Sequence, residues 1–240
     1  MVGLGGGFVV VPVLRLFFGL DPAFASGTSL ALVVANSGSA AFTYTLQGRV
    51  HMRVGLLLSA AAFPASILGA MLVKRLPANW FDVLFALFIT AIAIDILRSS
   101  GRRLEGRHHA QARATALAGM RWYTGLAAGF AVGFISSLFG VGGGVVLIPS
   151  LIYLSDLPAH AITATSHFAI FLTSPVGLAA HYVQRDIDWN YVVPLVAGGL
   201  LGGPIGARLS LRVHSPRLMG FVAVALVAAA VALVARHVFG

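Results

Sequence analysis

The stretch that decides the fold is Gly-Val-Gly-Gly-Gly-Val-Val-Leu-Ile-Pro at residues 140–149, because a near copy, Gly-Leu-Gly-Gly-Gly-Phe-Val-Val-Val-Pro, occupies residues 3–12. Residue 3 aligns with residue 140, an offset of 137. The same offset aligns further residues without a gap: Thr28-Ser29 with Thr165-Ser166, Ser37 with Ser174, Gln47 with Gln184, and Gly69-Ala70 with Gly206-Ala207. Chance similarity between apolar segments does not bring Pro, Thr-Ser and Gln into one register. The chain is therefore predicted to be an internal duplication.

The sequence around the two glycine strings is too apolar for a soluble domain. Hydrophobic residues make up 58%, charged residues 10%, and the mean hydropathy is +0.92, whereas soluble domains are about one quarter charged. Apolar stretches near the length of a bilayer-spanning helix occur at 25–46, 53–73, 79–97, 119–139, 160–183, 190–210 and 216–235, with shorter ones at 3–18 and 143–155. They lack the alternation that barrel strands need. The predicted fold class is an all-α membrane protein, a polytopic helical bundle in the cell membrane.

The formal net charge of +9 does not indicate a nucleic-acid partner. Six of the sixteen basic residues lie in or beside one loop between apolar spans: Arg98, Arg102, Arg103, Arg107, Arg113 and Arg121. Such a loop is typical of a cytoplasmic orientation signal. The expected partners are the lipid bilayer and a small anionic substrate. The chain has no cysteine, so thiolate metal sites are excluded, and neither a metal nor a cofactor is expected.

The duplication and the loop predict a first transmembrane repeat at 1–98, a basic cytoplasmic loop at 99–118 and a second transmembrane repeat at 119–240. If every apolar segment crosses once, eleven basic residues lie inside and five outside. The loops after the third segment of each copy then face opposite sides, which predicts inverted repeats. If 3–18 and 143–155 are re-entrant hairpins, the count changes. The second copy has a span before its glycine string, whereas the first copy has no room for this opening helix.

The glycine strings predict a helix broken inside each repeat, because three consecutive glycines disfavour continuous helix. Backbone N–H groups at the start of a half-helix carry partial positive charge and suit an anion. The alternative is a close helix crossing that uses glycine for its small size. No Gly-Lys-Ser/Thr follows either string, so a nucleotide P-loop is not expected.

After each string, hydroxyl and amide residues recur at a spacing of seven, which keeps them on one helix face. That face should point into the bundle, where it either makes interhelical hydrogen bonds or lines a path for an anion. N-capping is a third interpretation for the residues near the helix starts. The candidate substrate-binding residues are Gly5, Gly6, Gly7, Thr28, Ser29, Asn36, Ser37, Gly142, Gly143, Gly144, Thr165, Ser166, Thr173 and Ser174; no residue is predicted to be catalytic or to bind a metal.

Ionisable residues within the spans are few. His167 and His181 are interpreted either as proton relays or as satisfied interior histidines. Arg208 is expected to reach the cytoplasmic surface. No Lys or Arg lies in the middle of a span, so the site is expected to hold an anion without a buried cation.

Three motifs resemble the sulfite exporter TauE/SafE family of bacterial membrane permeases: Phe-Gly-Val-Gly-Gly-Gly-Val-Val-Leu-Ile-Pro at 139–149, Ala-Thr-Ser-His at 164–167 and Gly-Gly-Pro-Ile-Gly-Ala at 202–207. The first copy, with Pro12 and Gly-Thr-Ser-Leu at 27–30, resembles the N-terminal half of the same family. The resemblance implies an inverted-repeat permease for sulfite, sulfonates or related organosulfur anions.

The sequence thus predicts a secondary permease for a small oxyanion, without an ATP site or covalent catalysis. Two functions of other classes remain as alternatives. One is a non-transporting membrane scaffold, and the other is an intramembrane enzyme using a Ser–His pair, for which no Gly-x-Ser-Gly elbow is present.

Overall fold

The computed structural model describes residues 7–102, 121–155, 157–210, 224, 226–233 and 235, and this part of the chain is helical with short connections. The helices are α1 (Gly7–Leu16), α2 (Pro22–Leu46), α3 (Met52–Arg75), α4 (Ala78–Arg102), α5 (Trp122–Phe139), α6 (Gly144–Leu154), α7 (Ala159–Val183) and α8 (Trp189–Ser210). Residues 226–233 are helical as well. The predicted helical fold class is confirmed. Helix α4 continues four residues beyond the predicted end of the first repeat.

Three of the described helices are long and apolar enough to cross a membrane: Met52–Arg75, Trp122–Phe139 and His160–Val183. Helix α2 has 25 residues, about 37 Å at 1.5 Å per residue. Its length also suffices, although it contains many hydroxyl residues. Helices α1 and α6 have only 10 and 11 residues, about half of the length that a bilayer requires.

Helix boundaries recur at the offset that aligns the two glycine strings. Helices α1, α2 and α3 begin at residues 7, 22 and 52, and α6, α7 and α8 begin at 144, 159 and 189. Helices α2 and α7 end one residue before Gln47 and Gln184, and each glutamine is followed by a residue in the left-handed region, Gly48 (φ 63°) and Arg185 (φ 62°). Left-handed backbone is uncommon outside glycine, so its recurrence at Arg185 shows that the two units share backbone conformation and sequence.

Helices α2 and α7 run antiparallel at the centre of the bundle. A β-carbon on Gly27, near the start of α2, would lie 3.1 Å from His181 Cβ near the end of α7. A β-carbon on Gly38 would lie 3.0 Å from the Phe171 ring, and the Tyr44 and His167 rings are 5.7 Å apart. Two equivalent helices that run in opposite directions are what an inverted repeat requires. The membrane side that each loop faces stays a prediction, and loop 211–216 and most of loop 99–118 lie outside the described residues.

Helices α3 and α5 run parallel in close contact, because small residues remove side-chain bulk between them. A β-carbon on Gly129 would meet the backbone of Leu58, and one on Gly133 would meet the backbone of Ala62. Gly69 approaches the end of α5 in the same way, since a β-carbon there would lie 2.9 Å from Leu138 N. In lipid, where burial alone supplies little driving force between helices, such close approach is a main source of association.

Helix α6 folds back alongside α5. Its Leu147 and Leu151 are buried in one cluster with Val54 at the start of α3 and Ile162 at the start of α7. The break between α5 and α6 is therefore the tip of a helical hairpin, as in the re-entrant alternative. Such a hairpin returns the chain to the side from which α5 started, as two full crossings would, so the predicted sides of the later loops do not change.

Candidate functional site

The second glycine string forms the break between α5 and α6. Gly140, Gly142 and Gly143 adopt φ values of 66°, 83° and 65°, in the left-handed region that favours glycine. Residues 136–145 are all buried. In lipid, irregular backbone is stable only where protein or a watery cavity covers it, and here the surrounding helices cover it. The prediction of a helix broken by glycine is confirmed for this copy; Gly5 and Gly6 of the first string lie outside the described residues.

Serine side chains of α2 satisfy carbonyl groups that the break leaves without a helical partner. Ser26 Oγ donates to Leu138 O (2.9 Å) and Ser29 Oγ donates to Gly140 O (2.8 Å). A β-carbon on Gly140 would lie 2.6 Å from Ser26 Cα. The start of α2 and the break are thus held together by hydrogen bonds and by a contact that tolerates only glycine.

Gly7, the described residue of the first glycine string, also contacts this break. A β-carbon on Gly7, the first residue of α1, would meet Gly140 O and would lie 3.0 Å from the backbone of Val141. Ser29 Oγ lies 3.5 Å from Gly7 O. The described end of one string therefore contacts the other string directly, as expected for two parts of one site.

Helix α6 begins without a side-chain cap. Its N-cap residue is Gly143, which has no side chain, and the first N–H groups turn back onto the break, with Gly144 N donating to Gly142 O (2.7 Å) and Leu147 N to Gly143 O (2.8 Å). The positive end of the helix dipole thus lies inside the bundle, with no carboxylate in its first turn. This arrangement suits an anion electrostatically.

Thr28 and Thr165 make reciprocal hydrogen bonds between the two repeats. Asp188 N, just before α8, donates to Thr28 Oγ1 (3.1 Å), and His51 N, just before α3, donates to Thr165 Oγ1 (3.0 Å). Each threonine therefore accepts an N–H at the start of a helix in the opposite repeat, not in its own helix. The N-capping interpretation is wrong for α2 and α7, whose N-caps are Asp21 and Pro158.

The central polar residues of α2 and α7 lie at one level of the bundle. Interpolation between the Gly27–His181 and Gly38–Phe171 contacts places Asn36 opposite Thr173. Ser37, Thr173 and Ser174 are buried. Their hydroxyls donate to carbonyls of their own helices, including Thr173 to Ala169 O (2.9 Å) and Ser174 to Ile170 O (2.6 Å).

The candidate residues therefore occupy three levels and not one site. Tyr44, which contacts His167 near Thr165, comes 16 residues after Thr28, so the two threonines lie about 24 Å apart along α2. Thr28 and Ser29 adjoin the glycine break, and Thr165 and Ser166 lie toward the opposite end. The residues between them are Asn36, Ser37, Thr173 and Ser174. Ser166 Oγ donates within its own helix, to Thr163 O (2.9 Å).

The structure contains a buried ion pair that the sequence pattern did not predict. Arg15, in the last turn of α1, is 4% exposed, and Asp82 of α4 is 0% exposed. Arg15 Nε donates to Asp82 Oδ1 (2.9 Å) and Arg15 Nη2 to Oδ2 (2.5 Å). This buried cation is held by a carboxylate and is not one of the candidate substrate-binding residues, so the expectation that the anion site lacks a cation stays a prediction. An aspartate inside an otherwise apolar span was the signal in the sequence. The side chain of Arg208 lies outside the described residues.

The family model of the sulfite exporter TauE/SafE matches residues 1–233, nearly the whole chain. The chain belongs to the sulfite exporter TauE/SafE family. Relatives include the probable membrane transporter protein YunE of Bacillus subtilis, 30% identical over 254 residues, which cover 100% of this chain and 93% of the relative. A probable membrane transporter protein of Methanocaldococcus jannaschii is 27% identical over 242 residues, covering 92% and 86%. One from Xylella fastidiosa is 24% identical over 237 residues, covering 94% and 87%. No solved structure matches the chain.

Membership of the TauE/SafE family decides between the function classes left open by the sequence. The relatives are named as membrane transporters, and the family is a transporter family and not an enzyme family. Together with helices apolar enough to span a membrane, this makes the chain a multi-pass membrane transporter. The alternatives of an intramembrane Ser–His enzyme and of a scaffold are set aside.

Proposed function

We propose that this transporter is a secondary permease for a small oxyanion, namely sulfite, a sulfonate or a related organosulfur anion. The observation that carries the proposal is the buried glycine break, at which α6 begins inside the bundle with no side-chain cap and no acidic residue in its first turn. The description of the family as sulfite exporters supports the substrate class.

The three levels of polar residues support a path and not a single pocket. The anion meets the break and Thr28 at one level, Asn36, Ser37, Thr173 and Ser174 at the middle level, and Thr165 and Ser166 at the far level. Together these levels extend over about 24 Å, most of the roughly 30 Å thickness of the hydrocarbon core. Gly5, Gly6, Gly7, Gly142, Gly143 and Gly144 form the backbone of the site in this proposal, and the Gly144 N–H must leave Gly142 O before it can donate to the anion.

Two hydroxyls are better placed to donate to the anion than the others. Thr28 and Thr165 use their oxygens to accept N–H groups, so each keeps its hydroxyl hydrogen for a ligand. The hydroxyls of Ser37, Thr173 and Ser174 point at carbonyls of their own helices, and each must rotate before it can donate to an anion. A helix terminus contributes about 0.3–1 kcal/mol, and up to ~2 when partly buried. Binding of roughly micromolar to millimolar strength is expected.

The test is a flux assay with the purified full chain in proteoliposomes and a panel of sulfite, a short alkyl sulfonate, sulfate and chloride. We expect flux of at least one sulfur oxyanion. Replacing Ser37 and Ser174 together with Ala should lower that flux about tenfold or more, because a hydrogen bond to a charged group is worth roughly 1.5–3 kcal/mol.

The matched control is Ser39→Ala, since Ser39 lies two residues further along α2 and is exposed. This variant should transport like the unmodified protein. A folded protein that moves no member of the panel would contradict the proposed substrate class. Equal flux in the Ser37/Ser174 variant and the control would contradict the central part of the path.

A further inference from the structure

A buried polar cluster lies outside the proposed anion path, where the ends of α5 and α7 meet the start of α2. It consists of Ser137, His181 and Asp186, which are 1%, 0% and 3% exposed. Asp186 N donates to His181 O (3.0 Å), and His181 Nε2 lies 3.1 Å from Ser137 O. Gly27 abuts both His181 and Asp186, since a β-carbon there would lie 3.1 Å from His181 Cβ and would meet Asp186 O.

Each member of this cluster has one buried polar atom without a hydrogen-bond partner among the described residues. These atoms are Ser137 Oγ, His181 Nδ1 and Asp186 Oδ2. Most buried polar atoms in folded proteins are hydrogen-bonded, and exceptions often have a functional role. Three exceptions on residues that are joined through hydrogen bonds of His181 mark a site built for a ligand.

The hydrogen bonding of His181 identifies what is missing from the cluster. A carbonyl oxygen only accepts hydrogen bonds, so the contact with Ser137 O requires that His181 Nε2 carries a hydrogen. In the neutral ring Nδ1 is then an acceptor, and Asp186 Oδ2 is an acceptor as well. A proton bound at Nδ1 turns one of these acceptors into a donor and leaves an imidazolium beside a carboxylate.

Two charged groups, Asp186 and Lys74, act on His181 and are paired with each other. Asp186 follows α7, and Lys74, at the end of α3, has its Nζ 3.2 Å from Asp186 Oδ1. Lys74 is 48% exposed and also donates to Gln184 O (2.6 Å). The facing parts of α2 and α5 contribute Gly27 and Ser137. Asp186 thus has Oδ1 paired with the solvated Lys74, whereas Oδ2 is available to a buried positive charge.

A proton fits this cluster better than a metal cation does. Hard cations such as Ca²⁺ and Mg²⁺ take six or more oxygen ligands, and the unpartnered atoms here comprise two oxygens and one imidazole nitrogen. Histidine is the side chain whose charge ordinarily changes between about pH 5 and 8. The site also adjoins the glycine break, because Ser137 comes three residues before Gly140 and Gly27 follows Ser26, which binds Leu138 O.

We propose that His181 Nδ1 is a proton-binding site with Asp186 as its counter-ion, and that this proton is coupled to the anion flux of the permease. The coupling rests on the proposed function, whereas proton binding does not. The step moves one proton from water to the lone pair of Nδ1 and changes the ring from neutral to singly positive.

Proton binding is tested by nitrogen NMR of the full chain in nanodiscs with ¹⁵N-labelled histidine, recorded from about pH 8 to about pH 5. His181→Gln is the informative variant, because its amide N–H still reaches toward Ser137 O while the titrating nitrogen is gone. His160→Gln is the matched control, since His160 lies on the same helix and is exposed. We expect the NMR signal of one imidazole ring that is neutral, with hydrogen on Nε2, at the highest pH and doubly protonated at the lowest pH. This signal should be absent in His181→Gln and present in His160→Gln.

Two results would overturn the site. One is a His181 signal that stays neutral over the whole range. The other is a titration of His181 that is the same in Asp186→Asn, where we expect the doubly protonated fraction at a fixed pH to fall about tenfold, the effect of one pH unit. Loss of the titration on adding sodium would assign the cluster to a metal cation and overturn it too.

The coupling is tested by anion flux in proteoliposomes with and without a pH gradient. Flux through the unmodified protein and His160→Gln should respond to the gradient, and flux through His181→Gln should not. An equal response in all three would overturn the coupling. If no anion moves but the His181 titration is present, the proposed function fails and the proton site stands. If anions move but the titration is absent, the proposed function stands and the proton site fails.

Discussion

Replacing Thr28 and Thr165 with Val, singly and together, tests whether the two threonines belong to one site. Valine keeps the shape of threonine but cannot accept the N–H of Asp188 or of His51. A partly buried donor left without an acceptor costs about 1–3 kcal/mol, so each single variant should lose that much unfolding free energy. Thr43→Val is the control: Thr43 is on α2, is exposed, and should change stability by less than about 0.5 kcal/mol.

The double variant carries the decisive comparison. Sites more than about 7–10 Å apart behave additively within roughly 0.3–0.5 kcal/mol, and the two threonines are about 24 Å apart along α2. The loss in the double variant should therefore equal the sum of the single losses. Denaturant unfolding of the purified protein in mixed micelles measures all four variants. A coupling energy above about 1 kcal/mol, or single losses no larger than that of Thr43→Val, would refute the separation into distinct levels.

Two further predictions concern the break and the buried ion pair. Gly140→Ala should lower the melting temperature clearly more than Gly19→Ala in a thermal shift assay. Both glycines have a left-handed φ, but only at Gly140 would the new β-carbon lie 2.6 Å from Ser26 Cα. Equal shifts would show that the break is not held by this contact. Removing one charge by Arg15→Met or Asp82→Leu should cost about 3–5 kcal/mol, and the double replacement should recover much of the loss, as measured by unfolding; independent additive losses would contradict the pairing.

Much of the architecture was accessible from the sequence, because span length and the repeat are local properties. The predicted spans at 53–73 and 160–183 differ from α3 and α7 by at most two residues at either end. The glycine string at 140–144 correctly marked a break, since three of its glycines adopt φ values that other residues disfavour.

The assembly of the site was less accessible, because seven-residue spacing reports which residues share a helix face and not what lies across from it. In an antiparallel pair of equivalent helices, only residues near the crossing point meet their own equivalents. Asn36 and Thr173 are such residues, and Thr28 and Thr165 are not. Opposite directions of α2 and α7 follow from the predicted inverted repeat, but the level at which the two helices cross, which separates the threonines, does not follow from a single sequence.

Hydrogen-bond partners at long range were not predictable either. Nothing in the local sequence of Ser29 indicates that it binds Gly140 O, 111 residues away. The ion pair of Arg15 and Asp82 joins residues 67 apart, and the local sequence of neither residue indicates its partner.

The charges of this bundle do not follow the symmetry of its helices. Moving each buried ionisable residue of the described part by one repeat gives a residue of different character: Arg15 corresponds to Ile152, Asp82 to Met219, His167 to Leu30, His181 to Tyr44 and Asp186 to Arg49. A duplicated scaffold without these substitutions would look alike from either membrane face. His181, Asp186 and Lys74 lie together, and the residues equivalent to them in sequence are Tyr44, Arg49 and Leu211. The two repeats therefore differ in their buried charges although they share helix boundaries. A transmembrane voltage acts on these charges, and so acts on the two repeats unequally.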